Sequence, residues 1–208
     1  QNLNKELYSV ENKFVIQNSK SKFTNNQIAL SGTLIRNNLS VRHEGQFIET
    51  FLNGLICLNG TDHVDNHTLV DHARPDCYSN ENYRNILDGK AHGVFNGKII
   101  VRPDAQKTNA FQSNKNILVS DDAVLNVKPQ LEIFADDVKC SHGCTIGQLD
   151  ETAMFYMQSR GIPKKEAKAL LMYAFSNAVI ESIRIPELKQ RITKIIANKL
   201  GVKIGFDL

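Results

Sequence analysis

Residues 120–140 read SDDAVLNVKPQLEIFADDVKC. Within this stretch SDDAVL at 120–125 and ADDVKC at 135–140 share a small residue, two aspartates and a β-type run, at a spacing of fifteen. Stacked coils produce such echoes, because each coil turns a polar corner and runs on into the next. Working outward, short β-type runs fill the chain before this point: KFVIQ at 13–17, QIALSGTLI at 27–35, LSVRH at 39–43, GLICL at 54–58 and TLVDH at 68–72. GVFNGKIIV at 93–101, NILVS at 116–120, AVLNV at 123–127 and LEIFA at 131–135 continue the series. No amphipathic helix of ten or more residues separates them, which excludes a doubly wound α/β sheet and leaves a sandwich, a barrel or a β-helix. Polar corners without strong hairpin signals suit a parallel β-helix, with a jelly roll as the alternative on periodicity alone. Of the 21 Asn, 19 precede residue 150. Asn tolerates left-handed backbone and bonds its own turn, so these residues read as corner formers.

After Gly147 the period changes. Asp150 can cap a helix DETAMFYMQSR that Gly161 stops. Pro163 opens a longer helix, whose apolar positions Ala167, Leu170, Leu171, Ala174 and Ala178 repeat at three and four residues. A third starts near Pro186 with Leu188, Ile192, Ile195, Ile196 and Leu200 on one face, and ends at Gly201. The division is therefore a β-region over 1–148 and a helical region over 149–208. With 208 residues, 41 % of them hydrophobic, the chain can bury one substantial core or a larger and a smaller one.

Net charge is +3, yet from Arg160 onward ten Lys/Arg stand against four Asp/Glu. That surplus reads first as a solvated helix surface. Aromatic residues do not interleave with it, which argues against nucleic acid. No apolar run approaches the roughly 18 residues of a membrane span, and QNLNKELYSV at the start lacks a signal peptide's apolar core. The expectation is a soluble, unexported, cytoplasmic chain whose four cysteines are free thiols. Gln1 in place of Met points to a fragment or a processed chain.

Chemistry concentrates in KCSHGCTIG at 139–147, where Cys140, His142 and Cys144 alternate. On a strand all three project to one face. Neighbours in the set then lie roughly 7 Å apart and the outer pair roughly 13 Å, so a straight strand cannot close them round one ion. Thiolate and imidazole together form the ligand set of zinc or of an iron–sulfur centre, open here and needing completion from elsewhere. A thiol pair packed inside a β-coil beside a hydrogen-bonded His explains the spacing equally well. A rival set is DHVDNHTLVDH at 62–72, with His63, Asp65 and His67 alternating, while Asp71 and His72 read as a polar pair. It would serve a metal-dependent or polysaccharide-acting enzyme on an all-β scaffold. The acidic pairs Asp121–Asp122 and Asp136–Asp137 read as turn formers, since adjacent strand residues face opposite ways.

Longer motifs carry more than spacing. GVFNGKIIVRPDAQKTNAFQSNKNILVSDDA at 93–123, KPQLEIFADDVKCSHG at 128–143 and FYMQSRGI at 155–162 resemble the SufB/SufD family of iron–sulfur cluster assembly proteins, most of all its SufD branch. The resemblance runs from about His63 to Leu200. It implies a right-handed parallel β-helix followed by a small C-terminal helical domain, with a further N-terminal region that this chain lacks. It also implies a non-catalytic scaffold subunit of the SUF system. Such a subunit pairs with SufB through the β-helix (residues 1–148 here) and binds the ATPase SufC through the helices (149–208). Movement of the SufC pair on ATP then rearranges the SufB–SufD interface where a cluster is built. By the same resemblance His142 and Cys140 belong to the assembly site. Cys144 departs from the family pattern and joins the metal ligands only as a further candidate. No tightly bound cofactor is expected, only a transient iron–sulfur cluster shared with SufB. A homodimer is the alternative assembly for the chain in isolation, and neither nucleic acid nor membrane is an expected partner.

Overall fold

A computed structural model describes residues 6–202. Ten strands run before the helices: β1 (Tyr8–Gln17), β2 (Lys22–Ala29), β3 (Leu34–His43), β4 (Glu49–Leu58), β5 (His63–His72), β6 (Tyr78–Leu87), β7 (His92–Val101), β8 (Asn109–Leu118), β9 (Val124–Ile133) and β10 (Lys139–Gly147). The odd-numbered strands stack as one sheet in the order β1-β3-β5-β7-β9, and the even-numbered ones as β10-β8-β6-β4-β2. Every pairing is parallel. The chain thus crosses from sheet to sheet and advances one strand spacing per circuit, which makes a β-solenoid and excludes the jelly roll.

Tyr8 lies beside Leu34 and His92 beside Val124, so one coil takes 26 to 32 residues. The fifteen-residue echo is therefore half a coil, the same polar corner met on the two sides of the solenoid. Corners stack as strictly as strands do. Lys20, Phe47, Asp76 and Lys107 occupy one corner in successive coils, each at a φ of 57° to 62°. The Lys20 and Asp76 N–H groups donate to Gln46 and Gln106 carbonyls of the next coil at 2.9 and 3.0 Å. At the opposite corner Gly89 has φ +66°, and a Cβ there would lie 2.9 Å from Gly60 N, so the coils approach too closely for a side chain.

Asparagine does a different job from the corner role its abundance implies. Most of the asparagines lie within strands and stack on one another: Asn37 Nδ2 donates to Asn66 Oδ1 at 2.8 Å inside, and Asn53 Nδ2 to Asn26 Oδ1 at 3.0 Å outside. In-register stacking of amides satisfies one coil's donor with the next coil's acceptor. The run QIALSGTLI is also two elements, since β2 ends at Ala29 and β3 begins at Leu34.

Between the sheets, alternate residues such as Ile35, Leu52, Ile56, Val70, Phe95 and Ile99 form the main apolar core. Polar groups share that interior, one chain of them continuous from β6 to β1. Ser79 Oγ lies 2.9 Å from His72 Nε2, His72 Nδ1 3.1 Å from His43 Nδ1, His43 Nε2 2.7 Å from Thr50 Oγ1, and Thr50 donates to Gln17 Oε1 at 2.6 Å. With both imidazoles neutral each link has one donor and one acceptor, running from Ser79 through His72 and His43 to Thr50. Burial accordingly lowers His43 to about 4 and His72 well below its ordinary 6.5. His72 thus pairs with His43 and Ser79, whereas Asp71 pairs with Arg102 at 2.9 Å.

Three helices follow: α1 (Glu151–Ser159), α2 (Lys164–Ile180) and α3 (Pro186–Leu200). Asp150 caps α1 by accepting from Thr152 and Ala153 N–H, and Gly201 ends α3 at φ +74°. The helices double back onto the outer face of the even-numbered sheet, where Met172, Val179, Ile180 and Ile196 join Leu30, Leu55, Cys57 and Ile86 in a second core. That contact sets which face of α2 is buried: Ala167, as the spacing predicts, with Ala169, Met172, Ser176, Val179 and Ile180, while Leu170, Ala174 and Ala178 are exposed. The apolar spacing places Ala174 inside; the sheet requires a stripe rotated from it. Val179→Asp should unfold the helices, because an unpaired buried carboxylate costs several kcal/mol. Ala174→Asp should leave helical circular dichroism unchanged.

Glu81 is wholly enclosed between the sheets, and burial raises its carboxyl to about 7. The histidines and this carboxylate act oppositely on stability. Below 6.5 the unfolded histidines take up protons that the folded ones refuse, so stability falls as the pH drops from 6.5 toward 4. Between 4.5 and 7 folded Glu81 keeps a proton that the unfolded chain has lost, so its contribution falls as the pH rises. Urea midpoints should therefore decrease on acidification below pH 6.5, and Glu81→Gln should stabilise the protein at about pH 8 by on the order of 1–3 kcal/mol.

Candidate functional site

The site is the end of the solenoid. β10 is the last strand of its sheet and pairs only with β8, which leaves its other edge open. Cys140, His142 and Cys144 stand in register with Ala110, Gln112 and Asn114, all three buried between the sheets. The trio therefore continues the inward-facing columns one coil beyond the last position at which a following coil covers them. Cys140 is half-buried against the main core, while His142 and Cys144 are exposed.

Hydrogen bonds anchor the row from below. Cys144 Sγ lies 3.7 Å from Asn114 Oδ1 and 3.8 Å from Asn116 Nδ2, and Asn116 Nδ2 also donates to Thr145 O at 2.9 Å. Burial pushes both thiols up; for Cys140 a backbone hydrogen bond with Ala110 partly opposes it. Both are thus thiols, not thiolates, at neutral pH, and a metal ion must displace their protons in order to bind. Among the described residues no group of three or more His, Cys, Asp or Glu side chains gathers round one point. The trio offers its donors in a row along an open edge, the geometry of a partial ligand set.

Beneath the row the interior is polar. Gln112 Nε2 donates to Glu81 Oε2 at 3.2 Å, and Thr68 Oγ1 donates to the same oxygen at 2.8 Å. A Cβ on Gly97 would come within 2.3 Å of Gln112 Nε2, so this glycine makes room for the amide. Glu81, Gln112 and Asn114 are not among the site residues the sequence points to, because β6, YSNENYRNIL, and the first part of β8, NAFQSN, are too polar to pass as strands. A signal was present: RNIL at 84–87 and KNIL at 115–118 form an echo at one coil spacing, and the fold pairs them residue for residue.

The rival histidines lie on the outer face of the odd-numbered sheet and do not converge. His63 Nδ1 lies 3.0 Å from His92 Nδ1, while His67 Nε2 pairs with Asp65 Oδ1 at 2.8 Å. Asp65 Oδ2 in turn receives Arg36 at 2.8 Å. Asp121, Asp122, Asp136 and Asp137 sit in the corners flanking β9. Cys57 and Cys77 are buried elsewhere. Among the described residues no helix is long and apolar enough to cross a membrane.

Iodoacetamide should alkylate Cys144 before Cys140, and Cys57 and Cys77 only on unfolding. Both site rates should rise toward alkaline pH, read by mass spectrometry of the digested chain; labelling of Cys140 ahead of Cys144 would contradict the geometry.

A family model described as SUF system FeS cluster assembly, SufBD core domain, matches residues 1–175. The iron-sulfur cluster assembly protein SufD of Escherichia coli is 37 % identical over 171 residues, covering 82 % of this chain and 40 % of that protein. A SufBD family protein of Synechocystis is 34 % identical over 183 residues, covering 88 % of this chain and 40 % of its own length. A chloroplastic protein of Arabidopsis thaliana, ABCI7, is 34 % identical over 180 residues, covering 86 % and 38 %. The chain spans about 40 % of the length of these curated relatives.

Proposed function

The chain belongs to the SufBD family of iron–sulfur cluster assembly proteins, and on that premise we propose that it is a SufD-type, non-catalytic scaffold of the cytoplasmic SUF system. In this reading the solenoid pairs with SufB, the C-terminal helices dock the ATPase SufC, and a nascent cluster forms where SufB meets β10. One observation carries it: the Cys140–His142–Cys144 row ends the solenoid on an unpaired strand edge, where His142 and Cys144 are exposed.

The chemistry follows from that placement. His142 supplies a neutral imidazole nitrogen, and Cys140 a thiol that releases its proton on meeting iron. Cys144 is a second sulfur held by Asn114 and is the lesser candidate, because its hydrogen bonds already give it a structural use. A row with same-face neighbours roughly 7 Å apart binds iron or sulfide weakly alone, and a partner's ligands complete it. The cluster is cargo passed on, and no resident cofactor is required.

The test is anaerobic cluster assembly on the complex with SufB and SufC, read as cluster absorbance per complex at matched yield. His142→Ala should lower it on the order of tenfold without changing complex formation. Cys144→Ser should do less. Wild-type absorbance in His142→Ala would remove the residue from the mechanism, and a stoichiometric cluster stable on this chain alone would overturn the shared site.

A further inference from the structure

Several pairs of long polar side chains that share an interior column of the solenoid bond across the coils. Asn37 with Asn66, His43 with His72, Glu81 with Gln112 and Asn85 with Asn116 all do so. Gln112 and His142 stand in register at the end of the column that begins with Glu81, and no hydrogen bond joins the two side chains in this structure. The buried amide already spends its Nε2 on Glu81, whereas its Oε1 has no partner, and neither has Glu81 Oε1. An enclosed acceptor without a donor is costly, so its neighbour's ring N–H is the natural complement.

We propose that Glu81 is a positioning residue for His142, acting through Gln112 to fix which ring nitrogen carries the proton. An ionised Glu81 can only accept, which turns the Gln112 NH2 group inward and its Oε1 toward the imidazole. The ring nitrogen facing Gln112 must then hold the proton, and the other nitrogen presents its lone pair at the open end, where a metal ion would take it. The amide is the only group in the column between the carboxylate and the ring, and Gly97 keeps its space clear. Besides Thr68 and Gln112, the group that senses this carboxylate is Tyr83, on the same strand. The inference rests on the assembly-site reading of His142 and adds to it a buried carboxyl that a scaffold core has no packing reason to contain.

The experiment is long-range 1H–15N NMR of the His142 ring in the iron-free 208-residue chain at about pH 8.5. Wild type should show one tautomer preferred on the order of tenfold, the worth of one hydrogen bond. Glu81→Gln can either donate to or accept from Gln112, so the two tautomers should become comparable while the fold is kept. Gln112→Met, which cuts the relay and leaves Glu81, should give the same mixture. The wild-type ratio in either variant overturns the proposal. Because no iron and no partner enter this measurement, its failure is separate from failure of the scaffold reading, which His142→Ala decides in the complex.

Discussion

In-register stacking governs this molecule. Each coil lies on the one before it with no slip, so a residue's environment is set by the residues at the same position one circuit earlier and later. Apolar positions make continuous apolar columns, and polar positions must find their partners in the same column or leave a buried group unsatisfied. This is why asparagine is abundant within strands: its amide carries a donor and an acceptor, and so repeats without limit along a column. The same constraint keeps a left-handed residue at one corner in four successive coils, although none of the four is glycine.

The constraint also produces two chemically different interiors. Toward one side of the solenoid, columns such as Val41–Val70–Ile99 are apolar throughout. Alongside the site, Ser79, Glu81 and Tyr83 in one coil give way to Ala110, Gln112 and Asn114 in the next, and then to Cys140, His142 and Cys144. The site is therefore the last layer of a polar column, supported from below by amides whose orientation is fixed inside the core.

Much of this was legible in the sequence. The helices were, with Asp150 and Gly201 as caps, since capping is local chemistry. Short runs and a repeated corner narrow the β-architecture to a parallel β-helix or a jelly roll, and the motifs at 93–143 point to the family and with it to the β-helix. What escaped notice depended on contacts between coils. β6 reads as polar because its inward side chains find their partners on other strands, His72 and Thr68 on β5 and Gln112 and Asn116 on β8, and no local rule of alternation marks Glu81 as buried. The buried face of α2 was misassigned for the same reason, because the outer face of β4 and β6 selects it, and Ala174 falls on the other side. The Cys140–His142–Cys144 trio was visible as three alternating residues, but its position at an open end was not.

The helices that follow β10 are fastened chiefly to β4 and β6. In a stack held by nearest-neighbour contacts, the terminal rung is the first to fray, because it has one neighbour where the others have two. Anchoring the tail on the middle coils leaves that rung uncapped. A strand arriving from a second protein would turn the terminal rung into an internal one, and the gain in order would fall on the very residues that meet it. Closure and site formation would then be a single zippering event, with the row of sulfur and imidazole drawn into its final alignment only when the partner is in place.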